Sequence, residues 1–399
     1  MRLCVALIVA MMVDSSAAAL AQQSGAQPLT ATWQDGFAIQ SADGAYRLQL
    51  GALIQVDGRF SLDDPPQIVN TFTMRKARPI IAARLAKYFD VRLVPDFGNG
   101  TATLADGYFD TRFSNAFRVR AGKDKAPIGY EILTGDAFVL FPERSLASSL
   151  VPLRDVGFQA QGDIAGQKVS YAIGVFNGIP DGTTSSTDLD TNGAKDVAGR
   201  VIVRTPTGFG AHLGASAGNE RGTLPSFKTS IGQTWFSYAP GVTANGSHTR
   251  VSPAAFFYRG PVGVFGEYVR SAQEVTRGAT TQDVVNQAWD VTASYVITGD
   301  ATSDRGVRPK NPFDPAAHHW GALQILARRS HLDVDSLVFD SGLASLGASR
   351  RAHQTSLGVN WYPTSFVKWY AAYERIEFHS PTATRATENS FTLRAQVAF

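Results

Sequence analysis

The side chains best suited to chemistry in this sequence are basic residues that recur at alternate positions. Arginine dominates, since only 9 of the 37 basic residues are lysine. A guanidinium group holds a carboxylate or a phosphate through paired N–H donors, so rows of arginines are typical of surfaces that attract anions. The residues predicted to line such an anion path are Lys76, Arg78, Arg84, Arg92, Asp110, Arg112, Arg118, Arg120, Arg200, Arg204 and Arg394. A wall of mutually paired charges without selectivity remains the alternative.

Motifs for covalent or metal chemistry are weaker. Residues 214–218 match G-x-S-x-G, but a nucleophile elbow needs a strand followed by a helix, and the local pattern predicts a strand alone. His318, His319 and His331 lack an acidic partner at ligand spacing, so no metal is expected. No glycine-rich nucleotide motif occurs, so we expect no cofactor. Arg350 and Arg351 are expected to face solvent or lipopolysaccharide rather than nucleic acid.

The basic residues lie on segments in which apolar and polar side chains alternate with period two, as in β-strands. The last segment places Thr392, Arg394 and Gln396 on one face and aromatic or aliphatic residues on the other, and it ends at Phe399. A terminal aromatic residue on such a strand is typical of outer-membrane barrels. The same alternation predicts sixteen strands, at 45–57, 71–86, 87–97, 104–114, 116–125, 155–163, 167–177, 196–206, 209–219, 249–259, 261–272, 286–299, 318–330, 352–362, 365–377 and 388–399.

The arginine-bearing face must meet water, because burying so many arginines in a dry core would cost several kcal/mol each. An even number of antiparallel strands with one apolar face predicts a transmembrane barrel around an aqueous lumen. The fold class predicted is therefore all-β, a transmembrane antiparallel barrel of about 16 strands. Short connections should alternate with long ones, at 58–70, 126–154, 178–195, 220–248, 273–285, 331–351 and 378–387. The connection at 300–317 is long where a short turn is expected.

The N-terminus and the composition agree with export to a membrane. Residues 1–21 have a positive start, an apolar run and an A-x-A end, which predict a cleaved signal peptide. Residues 22–44 are then expected to form a periplasmic segment, and residues 45–399 the barrel. Cys4 is the only cysteine, so the mature chain can form no disulfide. Charged residues make up 18% of the chain, below the share usual for soluble proteins.

Several segments together resemble the phosphate-selective porin O/P family, over nearly all of the mature chain and in the same order. Those that carry the resemblance are 50–60, 75–79, 120–129, 143–145, 174–177 and 357–362. The resemblance implies a homotrimeric sixteen-stranded porin, embedded in outer-membrane lipid and lipopolysaccharide. It also implies that residues 126–154 fold inward as a constriction loop, with Glu131, Asp136, Glu143 and Arg144 as candidate site residues. Arg154 and Asp155 at the end of this loop complete the set.

Only some residues of the family's anion site are retained in this sequence. Glu131 and Arg144 are retained, but two loop lysines of the family correspond to Ile132 and Ala137. A serine pair becomes Gly135-Asp136, and a first-strand arginine corresponds to Leu53. The sequence therefore predicts passive diffusion of small hydrophilic solutes, preferably oxyanions, with weaker phosphate specificity than in those members.

Three other functions are alternatives to anion diffusion. A general porin without anion preference stays open. An outer-membrane barrel enzyme would need a serine and a histidine with an acidic or amide orienting residue on one exposed strand face, and strand parity predicts no such set. A plugged transporter would need a separate plug domain ahead of Tyr46, and only about 23 residues of the predicted mature chain precede it.

Overall fold

The computed structural model describes residues 28–33, 36–66, 68–185, 190, 192–381 and 384–399. The predicted signal peptide lies outside these residues. The strands are β1 Leu29–Trp33, β2 Phe37–Ser41, β3 Arg47–Ser61, β4 Thr71–Leu85, β5 Phe89–Asp96, β6 Thr103–Arg112, β7 Arg118–Asp124, β8 Asp155–Ile164, β9 Val169–Phe176, β10 Asp196–Arg204, β11 Phe209–Thr223, β12 Phe227–Lys228, β13 Thr234–Phe236, β14 Thr243–Arg259, β15 Val262–Arg277, β16 Thr280–Val296, β17 Thr302–Ser303, β18 Gly306–Val307, β19 Ala322–Asp333, β20 Arg351–Tyr362, β21 Val367–His379 and β22 Glu388–Ala398.

Two short α-helices and three 3₁₀ turns complete the described elements. Helix α1 is Tyr130–Leu133 and helix α2 is Ser336–Asp340, while the 3₁₀ turns are Gly98–Gly100, Leu146–Leu150 and Pro315–Ala317. Among the described residues, no helix is both long and apolar enough to cross a bilayer.

Sixteen of the strands form one closed antiparallel barrel: β3 to β11, β14 to β16 and β19 to β22. The barrel closes where β22 pairs with β3, with Arg394 opposite Asp57. Each predicted strand corresponds to one of these sixteen, so the predicted fold class is confirmed. Closure leaves no unpaired edge in the wall, as a hydrocarbon environment requires.

The wall is apolar outside and polar inside, the reverse of a soluble β-protein. On β3, Leu48, Leu50 and Ile54 are 42–43% exposed, whereas Gln55 and Asp57 are fully buried. Alternate side chains of a strand point to opposite faces, so the exposed aliphatic rows and the buried polar rows separate cleanly. The polar row therefore faces the barrel interior.

One predicted external loop is absent. Residues 273–285 belong largely to strands β15 and β16, which meet at the tight turn through Gly278, where φ is +58°. The two strands pair as far as Arg277 and Thr280. Where a strand extends beyond the hydrocarbon layer, its outward residues no longer need to be apolar, so the alternation that marks a strand weakens. The predicted loop 220–248 is likewise shortened to residues 224–242.

The long connection between β16 and β19 folds back into the barrel. It contains the hairpin of β17 and β18, which we call the periplasmic hairpin (residues 302–307). The Thr302 N–H donates to Gly260 O at 2.9 Å. Val307, 3% exposed, packs with Val296 and Tyr362. An apolar anchor on the inward wall explains why this turn is longer than the others at the same end.

The stretch ahead of the barrel, predicted as a periplasmic segment, contains the hairpin of β1 and β2. Strand β2 pairs with residues Arg47 to Leu50 of β3. The following part of β3, from Leu53 onward, pairs with β22. The hairpin therefore continues the sheet past the end of the C-terminal strand.

Candidate functional site

The segment between β7 and β8 fills the middle of the barrel, and we call it the inward loop (residues 125–154). Its carbonyl groups accept hydrogen bonds from side chains of the barrel wall. Lys368 Nζ donates to Val139 O at 2.8 Å, Asn360 Nδ2 to Leu140 O at 2.9 Å and Gln396 Nε2 to Ala137 O at 2.9 Å. These donors stand on β20, β21 and β22, across the lumen from the strands that the loop connects.

Small wall residues let the loop approach closely. A Cβ on Gly214 would lie 3.1 Å from the Cα of Ile128, and one on Gly358 would lie 3.0 Å from the Phe141 ring. Gly214 is the first glycine of the G-x-S-x-G match, and it lies within strand β11. That motif therefore provides space for the loop.

Two of the loop's carboxylates are bound to wall arginines. Glu143 receives Arg75 Nε at 2.7 Å, Arg59 at 2.8 Å and Arg394 at 3.3 Å. Glu131 receives Arg328 at 3.2 Å, together with the hydroxyls of Ser145 and Ser148 from its own loop. Burial alone would raise the pKa of Glu143, but Arg75 and its neighbours hold that pKa well below its usual range.

The wall also caps the helix at the start of the loop. The buried Glu267 carboxylate on β15 accepts the backbone N–H of Tyr130 at 2.7 Å and that of Glu131 at 3.0 Å. These are unpaired amide groups of the first turn of α1, where a negative charge is favourable. The loop is thus fixed at both ends and in its middle.

Asp136, at the centre of the loop, is surrounded by cations. Its carboxylate binds Arg144 at 2.6 Å, Lys76 at 2.7 Å, Arg154 at 3.3 Å and Lys125 at 3.4 Å, and it also binds Arg78. Burial alone would raise the pKa of Asp136, but the surrounding charges hold it well below its usual range. We call these five cations the Asp136 cluster. Lys76, Arg78, Arg144 and Arg154 were predicted as site residues, and the structure brings them together around Asp136.

Sequence parity misses Arg75, which also points into the barrel. In β4, Lys76 pairs with Gln55 and Met74 with Val56, so Arg75 is the extra residue of a β-bulge. A bulge shifts the alternation by one position. Two consecutive basic residues, Arg75 and Lys76, therefore both reach the inward loop. The run of three basic residues within Arg75–Arg78 was the only available signal.

Most of the other predicted residues form ion pairs on the inner wall. Arg84 and Arg112 both bind Asp90, at 2.8 and 2.5 Å, and Arg118 binds Asp163 at 3.1 Å. These side chains are about one quarter to one third exposed. A second set joins Arg120 to Asp110 at 2.7 Å and Arg394 to Asp57 at 2.6 Å. Asp57 was not predicted, because its partner is 337 residues away in sequence.

Two cavities adjoin the inward loop. The larger, of about 420 Å³, is lined by seven cations and two carboxylates, which are Arg78, Arg92, Lys125, Arg154, Arg305, Arg308, Lys368, Asp106 and Asp136. The smaller, of about 330 Å³, is lined by five cations and two carboxylates, which are Arg120, Lys125, Arg200, Arg204, Arg305, Asp124 and Asp304. Lys125, Gly135, Phe138 and Arg305 border both. The inward loop and the periplasmic hairpin therefore border both cavities.

Three cavity-lining arginines have no close acidic partner in the part of the chain that the structure describes. Among the described residues, Arg92, Arg200 and Arg305 have no carboxylate oxygen within 4.0 Å. Arg92 and Arg200 belong to the predicted anion path, whereas Arg305 lies in the connection that sequence reasoning left unassigned. Uncompensated guanidinium groups in a confined space raise the local concentration of anions.

A serine, a histidine and an acid do meet inside the barrel, but not on an exposed strand face, where the sequence predicted no such set. On neighbouring strands β15, β14 and β11, Ser271 Oγ lies 2.8 Å from His248 Nε2, and His248 Nδ1 lies 2.5 Å from Glu220. The Ser271 hydroxyl donates instead to Asp181 at 2.6 Å, and Ser271 and His248 are at most 1% exposed. A nucleophile needs a free path to a carbonyl carbon, so this set holds the loop that carries Asp181 rather than attacking a substrate.

Comparisons with known proteins agree with the geometry. The family model described as phosphate-selective porin O and P matches residues 48–399. The chain is 21% identical to Porin O of Pseudomonas aeruginosa, with 91% of each chain covered. In fold it is similar to the outer-membrane channel DcaP of Acinetobacter baumannii, with a TM-score of 0.61, 11% identity and coverage of 91% and 99%. It is also similar to an anion-selective porin from Comamonas acidovorans, with a TM-score of 0.57, 11% identity and coverage of 89% and 100%.

Proposed function

The chain belongs to the phosphate-selective porin O and P family of the outer membrane, and on that premise we propose that it conducts small oxyanions by passive diffusion. The inward loop narrows the channel, and solutes pass along the cation-lined cavities beside it. No covalent step is involved, so the protein acts as a channel and not as an enzyme.

The observation that carries this proposal is that no carboxylate of the described residues lies within 4.0 Å of Arg92, Arg200 or Arg305. Paired arginines such as Arg118 and Arg375 contribute little net field, because each has its own carboxylate at 3.1 Å. The three unpaired guanidiniums border the cavities that a solute must cross. In a narrow passage surrounded by protein of low dielectric constant, their field favours entry of anions over cations.

Phosphate specificity is expected to be weak in this chain. Tight capture of phosphate needs several charge-assisted donors that converge on a vacant position. Here five candidate donors converge on Asp136 instead. The proposal is therefore selectivity for anions as a class, with modest discrimination among them.

Reversal potentials measured in planar bilayers under a KCl gradient test this function. We expect the zero-current potential to shift toward the chloride equilibrium potential, and neutralising Arg92 and Arg200 together with glutamine should reduce that shift. Arg118→Gln combined with Arg375→Gln is the matched control, because each of these arginines is paired with its own carboxylate. A cation preference of the native protein, or an equal effect of both double variants, would contradict the proposal.

The proposal includes assembly as a homotrimer within outer-membrane lipid and lipopolysaccharide. The exposed aliphatic rows on the outer wall, such as Val91, Leu93, Val197 and Val201, suit contact with lipid or with another copy. Native mass spectrometry of the detergent-purified protein tests it, with a mass of three chains as the expected result and a mass of one chain as the contradicting result.

Anion selectivity should fall as the pH rises from 7 to 9. Burial lowers the pKa of Lys125 to about 8, despite the opposing effect of Asp136, so this lysine is charged below pH 8 and loses its charge above it. Loss of one positive charge at about 6 Å from a solute weakens the attraction of an anion by about 0.7 kcal/mol, which should lower anion permeability roughly three-fold. Reversal potentials at a series of pH values measure the effect.

Lys125→Arg is the control for this pH dependence. Arginine keeps its charge throughout this range, so the variant should show a flat profile with the selectivity of the native protein at pH 7. A profile that falls equally in native protein and variant would assign the titration to another group.

A further inference from the structure

The position of Asp136 suggests what the Asp136 cluster binds. The carboxylate is 4% exposed, and its two oxygens are divided between the cations. Arg144 and Lys125 contact Oδ1, while Lys76, Arg78 and Arg154 contact Oδ2. Basic groups arranged around two oxygen atoms of one planar anion are the arrangement that recognises free oxyanions.

The cluster has more positive charge than Asp136 can neutralise. Arg78 also binds Asp96 at 2.6 Å, and Arg154 binds Asp106 at 2.7 Å. Five cations thus face three carboxylates, which leaves two net positive charges. Among the described residues, Asp136 is the one carboxylate within 4.0 Å of Lys76, Lys125 and Arg144. Without it, these three cations would have no acidic partner.

The backbone holds Asp136 in place independently of its side chain. Gln55 Nε2 donates to Asp136 O at 3.3 Å, and Gln396 Nε2 donates to Ala137 O at 2.9 Å. Glu131 and Glu143 anchor the loop on either side. A shorter side chain at position 136 would therefore leave the loop in place and open a space among the five cations.

We propose that the Asp136 cluster is an oxyanion-binding site whose resident ligand is the chain's own Asp136 carboxylate. This inference rests on the proposed function. A tethered carboxylate is present at a high effective concentration, so a diffusing phosphate or sulfate competes with it poorly. The internal ligand thus keeps the site from retaining solutes, and anions pass beside it through the cavities.

The test is phosphate block of chloride current in planar bilayers, with inorganic phosphate as the probe. In Asp136→Ala, the half-blocking phosphate concentration should fall roughly ten-fold or more relative to the native protein. Added acetate, which supplies a free carboxylate, should relieve part of that block. Asp136→Glu keeps a carboxylate and should respond to phosphate like the native protein.

Asp163→Asn is the matched control, because it also removes one carboxylate from the barrel wall. Asp163 pairs with Arg118 and lies outside the Asp136 cluster. If Asp136→Ala is blocked no more strongly than the native protein, the inference is overturned. An equal increase in Asp163→Asn would also overturn it, because the effect would then follow from net charge. Failure of the proposed function is seen separately, as a cation preference in the native protein. Resistance of loop arginine Arg144 to trypsin in each variant verifies that the loop stays docked.

Discussion

Replacing Arg394 with methionine is expected to lower the free energy of unfolding by roughly 3–5 kcal/mol. The Arg394 side chain is 2% exposed and binds Asp57, which is fully buried, through two hydrogen bonds of 2.6 and 2.8 Å. It also binds Glu143 and the Pro142 carbonyl of the inward loop. Removing one partner of a buried pair leaves the other charge without compensation, and here it also weakens the join between the first and last barrel strands.

Urea titration of the protein in detergent or liposomes, followed by tryptophan fluorescence, measures this loss. Arg375→Met is the matched control, because Arg375 stands on a neighbouring strand in an exposed pair with Glu377. Exposed pairs contribute about 0–1 kcal/mol, so the control should change little. Adding Asp57→Asn to Arg394→Met should recover part of the lost stability. Equal losses in Arg394→Met and the control would show that the buried pair is not what joins the strands.

Replacing both Arg305 and Arg308 with glutamate should reverse or abolish the anion preference. Both arginines are exposed and line the larger cavity, and Arg305 also borders the smaller one. Each unit of charge is worth about 0.4 kcal/mol at ~10 Å in water. The double variant changes four units, or about 1.6 kcal/mol, which is roughly ten-fold in anion permeability. Reversal potentials under a KCl gradient measure the change.

This double variant should fold normally, since the periplasmic hairpin is held by Val307 and by the Thr302 N–H. Arg221→Glu with Arg270→Glu is the matched control, because these arginines are exposed and line neither cavity. The control carries the same change in net charge and should keep the native reversal potential. A shift of the same size in both double variants would mean that the periplasmic hairpin does not control solute entry.

The alternation of side chains along each strand predicted which residues line much of the inner wall, because this alternation depends only on neighbouring residues. It indicated Lys76, Arg78, Arg92 and Arg200 for the lumen from their neighbours alone, and the structure directs all four toward the loop or the cavities. The alternation did not predict that Arg75 points inward, because the β-bulge at this residue depends on how β3 and β4 pair and not on the residues of β4 alone. Arg305 was not predicted either, because its hairpin is not part of the wall.

The sequence by itself determined the sixteen strands, their closure into a barrel and the face to which most side chains point. These features follow from period-two alternation, which can be read from neighbouring residues. Only the tertiary structure decided which charges meet. Arg78 reaches Asp136 across 58 residues, and Arg394 reaches Glu143 across 251. Pairing over such distances depends on barrel closure and on the path of the inward loop. For that reason the sequence indicated that Asp136 departs from the family, while the fold placed its carboxylate among five cations.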